Sequence, residues 1–406
     1  MDWKNFCIDG FIKREGELFR LESEKEKIIT CTYEKGILEV YVRYDFNSEK
    51  PLLLSSEAKT NDAIKIVILP YRIELYVNSK LEDEEWPCGK ADFANGRIVD
   101  NNCSVFIKEY TKETLIQENV LGTFTDAEGW KPEKKVFVGD CMPYCFNEKY
   151  HVLYLKDRHH HRSKWGKGAH QWSHISTKDF INWDIHPMAV EIDEPREGSI
   201  CTGSWIYDGN RHYLFYTVRM TDGSAASISR SVSEDGYHFR KDRNFDFSLS
   251  NRYDAESARD PKIIKDENGL YHMILTTSDH KHECGCLAHL VSEDLNSWKE
   301  MEEPVYLAPK DMGQPECPDY FYKDGFFYLI YSLKGKGYYQ YSRQMFTDWI
   351  IPKNPVIPCS SVPKAAVWKD RLIFTGFKPE NGYAGTMTFL EAAVQENGEL
   401  SYKQLS

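Results

Sequence analysis

Hydrophobic and polar positions alternate through the first quarter of the chain. From Phe11 to Lys108, short alternating or apolar runs are separated by polar turns, as in residues 27–33 and 37–42. A period of two sends successive side chains to opposite faces of a strand, and several such strands in succession favour a β-sandwich. Charged and turn residues interrupt the pattern between 109 and 134. We therefore predict a β-sandwich domain with its linker over residues 1–125.

The rest of the chain, residues 126–406, repeats one hairpin pattern. Aromatic-rich strands begin at residues 150, 212, 271, 327 and 371, so successive starts differ by 62, 59, 56 and 44 residues. Four of these strands are followed by a serine strand that ends in a turn and an aromatic residue, at Trp183, Phe239, Trp298 and Trp349. Four-stranded units of this length are typical of propeller blades. The predicted fold is all-β, a five-bladed β-propeller preceded by a jelly-roll-like β-sandwich.

Three of the repeats carry a carboxylate near the start of the first strand. Asp140, Asp260 and Glu316 precede the aromatic second strand by 10, 11 and 11 residues, so we predict that they occupy equivalent places. The first strand of each blade lines the central channel, which would bring the three acids into one pocket. Residues 202–204 and 364–366 hold the same place in the other two repeats, and we expect a lining of small, neutral residues there.

Converging carboxylates are typical of glycosidic bond cleavage. One carboxylic acid protonates the leaving oxygen, and one carboxylate attacks the anomeric carbon or activates water. A third can bind sugar hydroxyls and stabilise the developing positive charge. Like charges placed close together also keep one of the acids neutral, which supplies a proton donor. An aspartate before a proline often only caps a turn, but three acids at matching repeat positions argue against that reading.

Residues 136–406 resemble glycoside hydrolase family 32, the family of invertases, inulinases and levanases with five-bladed propellers. The motifs that carry the resemblance stand in the family's order: Arg259-Asp260-Pro261, Glu316-Cys317-Pro318-Asp319, the stretch from Gln171 to Asp179 closing with Trp183, Gly376-Phe377, and Tyr383-Ala384-Gly385-Thr386-Met387-Thr388. The resemblance implies that Asp140 is the nucleophile, Glu316 the general acid/base and Asp260 the transition-state stabiliser, with retention of configuration. It also implies that Arg259 braces the acids or contacts the sugar.

Two features depart from the family pattern. The family's Asn-Asp-Pro-Asn-Gly stands here as Gly139-Asp140-Cys141-Met142-Pro143, which keeps the carboxylate and drops the asparagines expected to contact fructose. The extra β domain stands in front of the propeller, where the family has one behind it. The first departure bears on substrate identity, and the second on stability and oligomer contacts.

Aromatic and polar residues around the acids are further candidates for binding the substrate. We predict this role for Trp165, His170, Trp172, Ser204 and His159. The loop that contains His159 is rich in arginine and histidine, which suits a funnel rim that binds a sugar or a phosphorylated sugar. A polar surface loop or a metal site are the alternatives for that loop.

Net charge and segment hydropathy limit the classes of partner. The formal charge of −12 and a pI near 5.6 argue against nucleic acid and anionic membranes, because phosphate binding needs a basic surface. The N-terminus lacks a cationic and then apolar leader, and 18 apolar residues nowhere run together. We expect a soluble, cytoplasmic protein whose partner is a small carbohydrate.

The 11 cysteines lack the regular spacing of a secreted disulfide scaffold, so we expect reduced thiols. Cys284-x-Cys286 and Cys141-x3-Cys145 have no second half at zinc-ribbon spacing, and we predict neither a metal nor another cofactor. For the front domain we expect a surface cover or a homo-oligomer contact, with carbohydrate binding as the alternative.

These features together predict a retaining hydrolase that releases terminal β-D-fructofuranosyl units from sucrose or short fructo-oligosaccharides. One alternative is an inverting arabinosidase or xylosidase like those of family 43, which the Arg-Asp-Pro and Glu-Cys boxes disfavour. Another is a non-catalytic carbohydrate-binding propeller, which could dispense with Glu316. The sequence does not separate hydrolysis from fructosyl transfer.

Overall fold

The computed structural model describes residues 5–22, 27–44, 51–69, 71–86, 93, 96–100, 102–110, 118–163, 165–166, 168–359 and 361–405. Every regular element in these ranges is a β-strand, which confirms the all-β class. No helix in the described part of the chain is long and apolar enough to cross a bilayer. The chain divides into two units: residues 1–116 with 161–169 and 192–198, and residues 117–160 with 170–191 and 199–406.

Ten strands lie in the described part of residues 1–116. They are β1 (Phe6–Ile12), β2 (Gly16–Glu22), β3 (Lys27–Glu34), β4 (Ile37–Val42), β5 (Leu52–Glu57), β6 (Ala63–Ile68), β7 (Ile73–Val77), β8 (Lys80–Glu85), β9 (Arg97–Asp100) and β10 (Cys103–Glu109). They form two antiparallel five-stranded sheets, in the orders β10-β1-β6-β7-β8 and β5-β4-β3-β2-β9.

Alternation along the strands explains why the two sheets share one core. In β4, Leu38, Val40 and Val42 are buried while Ile37 is exposed, as a period of two requires. Side chains from both sheets, such as Ile66 and Val40, belong to one apolar cluster. This is the predicted β-sandwich.

A further 21 strands lie in the described residues from 118 onward. They are β11 (Gly122–Thr125), β12 (Val136–Phe146), β13 (Lys149–Arg158), β14 (His170–Thr177), β15 (Asn182–Ile185), β16 (Glu197–Tyr207), β17 (His212–Met220), β18 (Ser227–Ser233), β19 (Arg240–Lys241), β20 (Arg259–Lys265), β21 (Tyr271–Asp279), β22 (Cys284–Ser292), β23 (Lys299–Glu300), β24 (Tyr306–Leu307), β25 (Glu316–Lys323), β26 (Phe326–Leu333), β27 (Lys336–Ser342), β28 (Lys364–Trp368), β29 (Arg371–Pro379), β30 (Gly385–Val394) and β31 (Leu400–Gln404).

These strands form five antiparallel blades. Blade 1 is β12–β15 with β11, blade 2 is β16–β19, blade 3 is β20–β23 with β24, blade 4 is β25–β27, and blade 5 is β28–β31. Blade 5 joins blade 1 through one residue pair, Val138 with Gly385. All five predicted aromatic strands are the second strands of their blades, so the predicted propeller is confirmed.

The turns after the third strands are held by the predicted aspartates. Asp179, Asp235 and Asp294 each accept the backbone N–H groups two and three residues later, at 2.8 or 2.9 Å. A short acceptor side chain that replaces a backbone carbonyl in this way favours a tight turn. The repeat marker in the sequence is therefore a turn that closes the outer edge of blades 1 to 3.

Candidate active site

The first strands of blades 1, 3 and 4 contain the same β-bulge. Two residues on one strand face a single residue on the next within Val138–Cys141, Arg259–Lys262 and Glu316–Asp319. A bulge of this kind bends its strand and turns side chains away from the regular alternation. Each of the three candidate acids lies at one of these bulges.

The acids do not occupy equivalent positions, contrary to the prediction. Asp140 is the second bulged residue of its blade, Asp260 is the first, and Glu316 is the last paired residue before the bulge. Counting residues to the second strand was misleading because the paired segments after the bulge contain six, four and five residues. The register of each hairpin, rather than its length, sets where each carboxylate points.

Backbone conformation at the bulges is unusual. Asp260 and Cys317 are both first bulged residues, and both have left-handed φ angles, of 59° and 52°. In blade 1 the equivalent residue is Gly139. Non-glycine residues in this region cost about 1–3 kcal/mol each and are held there by their surroundings.

The Cys317 thiol joins two of the acids. Its Sγ lies 3.3 Å from Asp140 Oδ2 and 3.4 Å from Asp260 Oδ2, so the sum of these distances, 6.7 Å, is the largest possible separation of the two oxygens. The backbone N–H of Cys317 also donates to Asp260 Oδ2, at 3.0 Å. Burial raises the pKa of Cys317 well above its usual value, and the two aspartates raise it further. The neutral thiol can donate to one carboxylate at a time.

Asp140 is held by donors on both carboxylate oxygens. The Thr202 hydroxyl donates to Oδ2, and the Tyr383 hydroxyl donates to Oδ1 at 2.9 Å. The Tyr383 oxygen in turn accepts the backbone N–H of Asp140, at 3.1 Å. Gly139 allows this approach, because a Cβ atom there would lie 2.6 Å from the Tyr383 hydroxyl oxygen. The orientation of Asp140 is therefore fixed by blades 2 and 5.

Arg259 connects the other two acids. Its Nη2 donates to Glu316 Oε1 at 2.9 Å, and its Nε lies 3.8 Å from Asp260 Oδ2. Its Nη1 donates to the Ser257 carbonyl and to the Gln314 side-chain carbonyl. Burial raises the pKa of Asp260, and Arg259 opposes that rise. All three candidate acids thus lie in one network of hydrogen bonds and ion pairs.

The three acids differ in their solvent exposure. Asp140 and Asp260 are 5% and 4% exposed, whereas half of the Glu316 side chain is exposed, at 50%. A carboxyl group at this position can exchange its proton with water, while the other two carboxylates are shielded.

The neutral lining predicted at residues 364–366 is wrong at Lys364. Its side chain is buried, and its ammonium donates to the carbonyl of Pro318 at 2.7 Å and to that of Gly203 at 3.5 Å. Burial lowers its pKa, and the nearby carboxylates, Asp319 first, oppose this. Lys364 therefore ties blade 5 to blades 4 and 2 and places positive charge near the acids.

Comparison with known proteins identifies the family. The model of the glycosyl hydrolases family 32 N-terminal domain matches residues 132–351, which is more than half of the chain. The chain belongs to glycosyl hydrolase family 32. The match covers β12 to β27, including all three acids and their bulges.

Individual relatives agree with the family. The chain is 30% identical over 208 residues to the sucrose-6-phosphate hydrolase of Bacillus subtilis, covering 47% of this chain and 41% of the relative. It is 29% identical over 220 residues to the sucrose-6-phosphate hydrolase of Escherichia coli, covering 51% and 43%. The chain thus spans less than half the length of these relatives. The structure of fructan 1-exohydrolase IIa from Cichorium intybus shares the fold, with a TM-score of 0.58 and 16% identity over 69% of this chain and 60% of that one.

Two of the predicted substrate-binding residues serve as joints between blades. Trp172 is fully buried, and its indole N–H donates to the Cys201 carbonyl at 2.9 Å. The buried Ser204 hydroxyl donates to the Pro261 carbonyl and accepts the Ile263 N–H, both at 2.9 Å. Because the polar group of each side chain is already bonded to the backbone of the neighbouring blade, we reassign both residues to structural roles.

The other three predicted binding residues have different surroundings. His170 is close to the network of acids, because its ring centroid lies 5.6 Å from that of Tyr383 and its Nδ1 is 3.0 Å from the Ser199 hydroxyl. His159 begins a left-handed turn after β13, with φ of 49°. Trp165 belongs to the first unit, where it packs on Gly198.

Sequence reasoning missed the groups that orient the acids. Thr202 and Lys364 were recognised only as residues that fill a repeat position, and Tyr383 only as part of a last-blade motif. The usable signal was the tyrosine itself, because its hydroxyl group can donate to a carboxylate. Gln314, which links Arg259 to Ser257 and Ser278, gave no signal beyond its position two residues before Glu316.

Proposed function

We propose that the protein is a retaining glycoside hydrolase that releases terminal β-D-fructofuranosyl units from sucrose or short fructo-oligosaccharides. The observation that supports this most directly is the division of the acids into two buried carboxylates bridged by Cys317 and one half-exposed carboxylate held by Arg259. A double displacement needs this division: one carboxylate fixed for attack and one carboxyl group that exchanges protons.

In the proposed first step, Asp140 attacks the anomeric carbon of the fructosyl unit while Glu316 gives its proton to the leaving oxygen. The bond to that oxygen breaks, and an ester forms between fructose and Asp140. Tyr383 and Thr202 hold the attacking carboxylate in one orientation, which lowers the entropic part of the barrier. Asp260 binds sugar hydroxyls and stabilises the positive charge of the transition state.

In the proposed second step, Glu316 acts as the base. It takes a proton from water, the water oxygen attacks the same carbon, and the ester to Asp140 breaks. Two inversions give net retention. The proton returns to Glu316, whose exposure allows exchange with solvent between turnovers.

The proposal also covers the substrate, the front domain, the cellular location and the partner of the protein. The named relatives are sucrose-6-phosphate hydrolases, so a phosphorylated disaccharide is a candidate alongside sucrose. We also propose that the front domain contributes a homo-oligomer contact and ends before β11, because residues 122–125 pair with β15 of blade 1. A cytoplasmic location, and a small carbohydrate as the partner in place of nucleic acid or a membrane, are further parts of the proposal.

A substrate panel tests the proposal. We expect the full-length protein to release fructose from at least one of sucrose, sucrose 6-phosphate, inulobiose and levanbiose, and to leave aryl arabinofuranosides and xylosides intact. Proton and carbon NMR within the first turnovers should show the β anomer of fructose. Release of arabinose, or an α-fructose product, would favour the inverting alternative. Saturable binding of these sugars without turnover would favour a non-catalytic propeller.

Tyr383→Phe is expected to lower kcat while leaving KM within a factor of about two. The change removes the donor to Asp140 Oδ1 and keeps the ring that packs on Phe377 with centroids 5.1 Å apart. A hydrogen bond to a charged group contributes about 1.5–3 kcal/mol, which corresponds to a loss of roughly 10- to 150-fold in kcat.

Steady-state kinetics of Tyr383→Phe on the best substrate of the panel make this measurement. The matched control is Tyr339→Phe in blade 4, which removes a buried hydroxyl that accepts the Leu400 N–H at 3.0 Å, far along the chain from the acids. An unchanged kcat for Tyr383→Phe, or an equal loss in the control, would contradict a positioning role.

A further inference from the structure

A second cluster of titratable side chains lies within blade 1, apart from the acids. It consists of His151 on β13, His174 on β14 and His186, which directly follows β15. Each side chain is at most 3% exposed, and one ring nitrogen from each lies within 4.8 Å of the others. We call these three residues the blade 1 histidine cluster.

The other blades show which part of this cluster is unusual. His272 and His289 stand at the same places in blade 3 and make the same Nδ1 to Nε2 contact, at 3.0 Å, as His151 and His174 make at 2.9 Å. The residue that replaces His186 there is Met301, since each donates its backbone N–H to the carbonyl of the second histidine. A paired histidine is therefore a recurring packing feature, and the third histidine distinguishes blade 1.

Blade 2 satisfies the same positions with an ion pair. Arg230 stands in place of His174, and Asp242, which donates its N–H to the Arg230 carbonyl, stands in place of His186. The Arg230 guanidinium donates to the Asp242 carboxylate. In blade 2 the polar groups are thus paired, whereas blade 1 brings together three groups of the same kind.

The rings of His151 and His174 face each other through one nitrogen each. His151 Nδ1 lies 2.9 Å from His174 Nε2, so at most one of these two nitrogens carries the proton between them. An imidazole ring with one N–H has one donor and one acceptor nitrogen, so each of the three rings can turn one nitrogen lone pair toward an ion.

His186 already has the hydrogen bond that orients a metal-binding imidazole. Its Nδ1 contacts the carbonyl of Asn119, which can only accept, so the proton is on Nδ1 and the lone pair is on Nε2. Metal-bound histidines typically donate their other nitrogen to a carbonyl or carboxylate in this way. The Ser176 hydroxyl, 2.7 Å from Nε2, now donates to that lone pair and would give way to an ion.

We propose that the blade 1 histidine cluster binds one divalent transition-metal ion, with Zn²⁺ as the ion that suits it best. Imidazole nitrogens are preferred ligands of Zn²⁺, with bonds of about 2.0–2.1 Å. A tetrahedral ion at that distance needs the 2.9 Å contact between His151 and His174 to open to about 3.3 Å. The Tyr144 oxygen, 3.1 Å from His174 Nε2, offers a fourth ligand.

The site is closed, so the ion would be taken up during folding and would act as a structural clamp across the second, third and fourth strands of blade 1. It has no part in the sugar chemistry proposed above. Its success or failure is therefore independent of that proposal.

Metal content after refolding tests the inference. The full chain, without a histidine tag, is unfolded in urea with a chelator, refolded with Zn²⁺ or with Mg²⁺, and passed over a sizing column before elemental analysis. We expect one equivalent of zinc per chain and no retained magnesium. We also expect Zn²⁺ to raise the thermal unfolding midpoint by several degrees, because ligands that bind only the folded state stabilise it.

Variants copied from the other blades provide the controls. His186→Met copies Met301 of blade 3. His151→Tyr copies Tyr213 of blade 2, which lies two residues before the partner of Arg230 as His151 does before the partner of His174. Each variant should retain less than about a tenth of the zinc. His289→Gln breaks the blade 3 pair and should retain a full equivalent. A wild-type chain without zinc would overturn the proposal even if both variants failed to fold. Equal zinc in the wild type and in either folded blade 1 variant would also overturn it.

Discussion

Asp140→Asn should lower kcat/KM for the best fructoside by about 10⁴-fold or more, since losing a nucleophile that forms a covalent intermediate costs this much or more in other hydrolases. Asparagine keeps the volume of the side chain, and its oxygen can still accept from Tyr383 or Thr202. It cannot form the ester that the mechanism requires. The loss should therefore appear in kcat, with the fold intact and substrate binding retained.

The measurement combines initial rates of fructose release with the thermal unfolding midpoint of the variant. Asp319→Asn is the matched control, because Asp319 is also buried, forms an ion pair with Lys262 at 2.6 Å, and accepts the Ala365 N–H at 2.7 Å. The control should lose stability and keep most of its kcat. If Asp140→Asn retained activity within tenfold of the wild type, Asp140 could not be the nucleophile.

The sequence predicted the repeating elements well because each strand carries its own local signal. Aromatic second strands such as those starting at Tyr150 and Tyr271 alternate with turns whose aspartates bond their own backbone, and both features depend on residues close together in the chain. The five blades and the two-sheet front unit follow from such local patterns. The three candidate acids were found because they stand in recognisable motifs.

The geometry of the site could not be predicted in the same way, because it depends on contacts between distant residues. Tyr383 holds Asp140 across 243 positions of the chain, and no periodicity signals such a contact. The left-handed backbone at Asp260 and Cys317 arises from the bulge, which the spacing of the acids did not reveal. The substrate-binding roles predicted for Ser204 and Trp172 were wrong for a related reason. The polar group of a residue beside the channel can be bonded to the neighbouring blade and so serve to join two blades.

The surroundings of the buried Lys364 ammonium also depend on contacts between distant residues. Lys364 occupies a repeat position where small residues were expected, yet its ammonium donates to two backbone carbonyls that the bulged strand and blade 2 leave available. A buried ammonium is stable only with such partners and nearby carboxylates. These partners come together only when the blades close into a ring, so the sequence alone did not indicate that Lys364 would be buried.

Glu316→Gln should distinguish the acid/base from the other two acids by its dependence on the leaving group. Glutamine can still accept from Arg259 Nη2 through its carbonyl oxygen, so the link between the guanidinium and this side chain is preserved. On sucrose or an oligofructoside, where the leaving oxygen needs a proton, we expect kcat/KM to fall by roughly 10²–10⁴-fold. On an aryl fructofuranoside with a strongly acidic phenol, the first step needs little protonation and should remain fast.

The second step still needs a base, so the fructosyl ester on Asp140 should accumulate in this variant. Rapid-quench kinetics should show a burst of phenol equal to the enzyme concentration, and intact-protein mass spectrometry should show one added fructosyl unit. The double variant Asp140→Asn, Glu316→Gln is the control and should show neither. If Glu316→Gln slowed the aryl and natural substrates equally, with no burst, then Glu316 would not be the proton donor. The half-exposed carboxylate would then have to be reassigned to substrate binding, and the donor sought among Asp260 and the groups around it.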